Sequence, residues 1–93
     1  MSKEVFIEAK NLIISSGFDI AESAYEDATN NWRINLETIH EIRIAWSSSN
    51  KYLSVEEATT NTDTGIITWH YIFASKLSNQ HEILTRLEKL LKN

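Results

Sequence analysis

The order in which two periodicities follow one another constrains this chain more than any single residue does. A segment of helical period opens it, about sixty residues that mostly alternate apolar and polar follow, and a second helical segment closes it. Alternation leaves one face of a sheet apolar, and an amphipathic helix needs such a face to cover. The expected fold is therefore α+β: a two-layer sandwich in which an antiparallel meander of four or five strands carries the N- and C-terminal helices on one face. At 93 residues the chain fits a single domain spanning 1–93.

The first helix is expected from Lys3 to Ser16. Val5, Phe6, Ala9, Leu12 and Ile13 fall on one arc, with Glu8, Asn11 and Ser15 opposite. Ser2 is a candidate N-cap, and Glu4 suits the positive end of the helix dipole. Gly17 stands where the helix should stop, and Phe18 behind it can meet Ile13 in a glycine-terminated cap. Ile7 and Ile14 lie off the main arc. They mark either a wide buried face or a second stripe for a partner.

Phe18–Tyr25 is weakly strand-like and suits an edge; the polar stretch Glu26–Asn31 supplies a turn. Trp32–Glu37 alternates strictly, as a half-buried antiparallel strand does. Thr38–Glu41 connects it to a strand carrying Ile42, Ile44 and Trp46, with Arg43 facing away. Ser47–Asn50 reads as a turn, and Tyr52, Leu53 and Val55 belong to the next strand. Thr59–Gly65 has no apolar residue, and Asp63-Thr64-Gly65 suits a hairpin loop with glycine in the left-handed conformation.

Ile66–Ala74 is the most apolar strand. Alternation puts Ile67, Trp69, Tyr71 and Phe73 on one face and Ile66, Thr68, His70 and Ile72 on the other. Being apolar on both, it reads as central or doubly covered, yet a simple meander puts it at an edge. Either it pairs on both sides or its second face meets another molecule. Ser78 or Asn79 caps the last helix, with Glu82 completing a capping-box-like pattern. Ile83, Leu84, Leu87, Leu90 and Leu91 form that helix's buried stripe.

Few chemistries survive this subtraction. The chain has no cysteine, which excludes disulfides and thiolate catalysis and leans toward a reducing compartment. Glu8, Lys10 and Asn11 interrupt any N-terminal apolar run, and no stretch is long enough to cross a membrane, so a soluble, cytoplasmic protein without membrane contact is expected. His81-Glu82 lacks the second histidine of a zinc-protease helix, because Thr85 stands four residues on. His40, His70 and His81 have no ligand spacing, so no metal or other cofactor is expected. The serines lie in turns or at caps, and the only glycines, Gly17 and Gly65, are accounted for by a helix stop and a turn. Neither a nucleophile elbow nor a phosphate-cradling loop can be built from them. Glu56 and Glu57 are adjacent on a strand and point to opposite faces, so they cannot line one cleft together.

The charge of −4 is unevenly spread. From Asp19 to Asp63 nine acids face three bases. An acidic middle disfavours nucleic acid and would attract a basic protein. The tryptophans are expected in the core, since each buries a large area. If the helices cover the Trp69 face, Tyr52, Ile66, His70 and Ile72 lie on the other, rimmed by the acids Glu56 and Glu57. A patch of that character is a binding surface unless the sheet curls enough to bury both faces. The expected function is a non-enzymatic protein-binding module, resembling acidic inhibitor or immunity proteins in charge and size only, or a self-associating accessory protein that forms a homodimer. The competing expectation is a small-molecule binder or small enzyme with an apolar cavity between helices and sheet.

Overall fold

The computed structural model describes residues 2–38, 40–79 and 81–92. Helix α1 (Ser2–Ser15) is followed by strands β1 (Asp19–Glu26), β2 (Asn31–Glu37), β3 (Ile42–Ser47), β4 (Tyr52–Thr60) and β5 (Ile67–Lys76), and helix α2 (His81–Leu91) ends the fold. The strands form one sheet in the order β1-β2-β3-β4-β5, with every neighbouring pair antiparallel. This is the expected α+β meander, with five strands.

The glycine stop is built as anticipated. Gly17 adopts a φ of 94°. Its N–H donates to the Ile14 carbonyl at 3.1 Å, and the Phe18 N–H reaches back to the Ile13 carbonyl at 3.2 Å. These two bonds satisfy carbonyls that the helix end would otherwise orphan, and only glycine enters that backbone region without a steric cost. At the other end of the chain the Glu82 N–H donates to Asn79 Oδ1 at 3.3 Å, which identifies Asn79 as the cap. The Ser78 hydroxyl bonds the Glu82 carboxylate, so Glu82 reaches one residue beyond the position a capping box assigns it. Ser2 is already helical, and its expected capping side chain lies outside the described residues.

Cross-strand register aligns Trp32 with Trp46, Ile34 with Ile44, Leu36 with Ile42, Ile44 with Val55 and Trp46 with Leu53. These residues project from the same side of the sheet. With Val5, Phe6, Ala9 and Ile13 of α1 and Ile83 and Leu87 of α2 they make one buried cluster. Each such side chain contributes about 1.5–3 kcal/mol when fully buried. Phe6 lies 5.6 Å from Tyr25 and 5.7 Å from Trp32, ring centre to ring centre, and so ties α1 to β1 and β2. Neither the Trp32 nor the Trp46 indole N–H finds an acceptor among the described residues. The core accepts that loss, about 1–3 kcal/mol for each donor, in exchange for two large rings.

Three expectations need correction. Ile7 and Ile14 are exposed, so the buried face of α1 is narrow. Strand β5 is neither central nor doubly covered; it is the edge of the sheet and pairs with β4 alone. Its alternation is also broken. Val55 aligns with Phe73 but Glu56 aligns with Tyr71, leaving Ile72 as an extra residue in β5. That bulge puts Phe73 on the core side, while Trp69 and Tyr71 turn to the opposite face. Trp69 is therefore not a core residue, unlike Trp32 and Trp46.

Candidate functional site

The face of the sheet turned away from the core is polar, and its two arginines are already paired. Arg33 Nε donates to Asn35 Oδ1 at 3.0 Å, and its guanidinium reaches Glu22 at 3.2 Å. Asn35 Nδ2 donates to Glu41 Oε1 at 3.0 Å. Arg43 bonds Glu56 at 3.1 Å and stacks over the Trp69 ring with its guanidinium carbon 4.0 Å from the centroid. Glu56 is mostly covered in this pair, so the guanidinium both neutralises it and roofs part of β4. Asn35, Ser54 and Ala58 are consequently buried although they belong to the polar face.

Beyond Arg43 the character changes. The outer half of β5 and Ile66 just ahead of it carry exposed apolar side chains: Ile66 at 62%, Ile67 at 56%, Tyr71 at 67% and Ile72 at 51%. Its backbone is half free as well. The Asn61 N–H donates to the Ile66 carbonyl at 2.9 Å. Backbone groups alternate in direction along an antiparallel strand, so Thr68 and His70 also address β4. Ile67, Trp69 and Tyr71 then turn their N–H and C=O groups to the open edge. Between Gly65 and Ser75 no Asp, Glu, Lys or Arg interrupts this strip, and the chain has no proline to blunt it.

The six residues expected from sequence do not form one patch. Tyr52 and Glu56 lie on the polar face, aligned with Lys76 and Tyr71. Glu57 aligns with His70 and, with Ile66, belongs to the opposite phase. Ile72 occupies the bulge and lines an apolar cleft toward α2. His70 Nε2 sits 3.1 Å from the Thr59 hydroxyl. The structure does bring Ile66, His70 and Ile72 together along β5, and it adds Ile67, Trp69 and Tyr71, which alternation had assigned to the covered side. The edge position that a simple meander implied is the one observed: five strands paired in sequence order leave the last one a free side.

The concavities are modest. The apolar cleft that Ile72 shares with Phe18, Ile42, Leu87 and Leu90 holds about 210 Å³, under the roughly 300–1,000 Å³ of small-molecule pockets. A wide saucer of about 540 Å³ is lined by Glu37, Thr38, His40, Ile42 and Glu57. No group of three His, Asp or Glu among the described residues is placed to hold a metal ion. A third hollow of about 380 Å³ lies over Ala24, Arg33, Ala45, Tyr52 and Ser54, and no helix residue lines it. Among the described residues no helix is long and apolar enough to cross a membrane. Compared with known proteins, the chain matches no family model, no curated protein and no solved structure.

Proposed function

We propose that this protein is a non-enzymatic binding module that takes up an extended strand of a protein partner along the free edge of β5. One observation carries the reading: a long, uncharged edge strand whose outward side meets no further strand among the described residues and whose large apolar side chains are exposed. Strand addition needs those two properties together, main-chain groups for affinity and alternate side chains for selectivity. Natural proteins otherwise guard such an edge, because an unguarded one recruits other chains. The acidic middle of the chain contributes less than its charge suggests, since Arg43 and Arg33 already engage Glu56 and Glu22. The absence of cysteine supports a reducing, cytoplasmic setting. A photo-crosslinking residue placed at position 67 in cells should capture a protein, and one placed at position 22 on the opposite edge should not. Equal capture from both positions, or none from 67, would sink the reading.

A further inference from the structure

We infer that the strand received by β5 is the β5 of a second copy of this chain, paired antiparallel about a two-fold axis through Trp69. This rests on the strand-addition reading above and names its occupant. A two-fold contact must be self-complementary, each residue meeting in the second copy the residue that meets it in return. The run Ile66-Ile67-Thr68-Trp69-His70-Tyr71-Ile72 has that property. About Trp69, Ile66 faces the second copy's Ile72, Ile67 faces its Tyr71, Thr68 faces its His70, and Trp69 faces its own counterpart. The four exposed apolar residues between Ile66 and Ile72 are thereby matched with one another and none is left over.

The backbone has the same symmetry. Ile67, Trp69 and Tyr71 carry the outward N–H and C=O groups, and the axis pairs 67 with 71 and 69 with itself. Every outward group then meets an outward group, and Thr68 and His70 form the closer, non-hydrogen-bonded pairs between them. Side chains agree by face as well: Ile67 and Tyr71 are on the polar face, Ile66 and Ile72 on the other. Electrostatics favours a like copy over a basic segment at this edge. The strip itself holds no carboxylate, so two chains of charge −4 approach along their least charged side. Antiparallel alignment also carries the Asp63-bearing loop of each copy to the Lys76 end of the other. The strip is bounded by the Gly65 turn on one side and the Ile72 bulge on the other, which fixes how far the two strands can slide.

Sedimentation equilibrium of the purified chain from micromolar to millimolar concentration should show a reversible monomer–dimer equilibrium. The variant I67K/Y71K sets lysine against lysine twice across the axis and should weaken association at least about tenfold. The variant I67E/Y71K sets glutamate against lysine twice and should recover it; both positions are exposed, so folding is not at issue. Because the chain has no cysteine, register can be read by oxidation. T68C mixed with H70C should give a crossed disulfide, since such pairs bring Cα atoms within bridging distance, while either variant alone should cross-link poorly. A monomer at millimolar concentration, unchanged dimerisation of I67K/Y71K, or self-linking of T68C in preference to the crossed product overturns the inference. If the chain is monomeric yet position 67 still captures a different protein in cells, the second copy is excluded and the binding module stands. If capture at 67 fails too, both fall.

Discussion

The two edges of this sheet are built on opposite principles. Strand β1 is guarded: Asp19, Glu22 and Glu26 mark it with charge, a bulge at Ala21 disturbs its ladder, and α1 is fastened beside it through Phe6 and Tyr25. Strand β5 is longer, uncharged from Ile66 to Ser75, and apolar along the part that lies beyond the buried cluster. Both belong to the same small fold, so overall composition explains neither. Carboxylates and a bulge within the ladder guard one edge, whereas the other carries no charge from Ile66 to Ser75 and its bulge comes only after Tyr71.

That comparison can be broken most sharply by stability. Phe6→Ala, which unties α1 from the β1 side, should cost about 3–5 kcal/mol in urea unfolding, whereas Tyr71→Ala in dilute protein should stay within about 0.5 kcal/mol. A large loss at Tyr71 would mean that β5 is supported by something other than its visible contacts. Arg43→Ala leaves Glu56 covered and unpaired and uncovers Trp69, and it should cost about 1–3 kcal/mol. A double-mutant cycle with Trp69→Leu would apportion the stacking part, and Arg43→Lys should lose less because the charge remains. Gly65→Ala forces a side chain into a backbone at φ 74° and should cost about 1–2 kcal/mol by thermal melting.

Amide exchange sharpens the comparison without mutation. In dilute solution the Ile67, Trp69 and Tyr71 amides should exchange faster than those of Thr68 and His70, and concentrating the protein should remove the difference. The smallest effect is a control on the exposed side of α2, outside both edge strands. Lys92 donates to Glu88 at 2.7 Å, and this bond together with the lysine charge holds the Glu88 carboxyl below its ordinary value. A lowered carboxyl stabilises the fold above its unfolded value, and the contribution fades as pH falls through the folded one. Lys92→Ala should return the Glu88 titration, followed by NMR, to the usual range without altering exchange at either edge.

Sequence periodicity made β2 and β3 legible because Trp32–Glu37 and Ile42–Trp46 each show a single apolar phase. Gly17 followed by Phe18 was legible for a similar reason: few backbone shapes suit that pair at a helix end. Strand β5 was not. It is apolar in both phases, so slipping it by one residue leaves the hydrophobic pattern unchanged, and nothing in the string marks Ile72 as the extra residue. Only the partner register, Phe73 against Val55 and Tyr71 against Glu56, fixes the faces. The candidate site inherited that ambiguity. Residues sorted by alternation alone were divided between two sides, while the free backbone edge, which no side-chain pattern encodes, followed only from the alternative that a simple meander offered. The length of β4 was hidden too, since Thr59 and Thr60 are held in the strand by pairing with Thr68 and Ile67 and not by burial.

The extra residue at Ile72 has a further effect. It interrupts the ladder between Tyr71, which faces outward, and Phe73, which packs against the core. Deleting Ile72 would keep every neighbour on its present side but straighten the ladder into an unbroken ribbon from the hairpin tip to Lys76. Such a ribbon would lose the stop that the bulge sets beyond Tyr71, and a strand laid along it could slide toward Lys76. A single superfluous isoleucine thus marks how far along this edge the regular ladder runs.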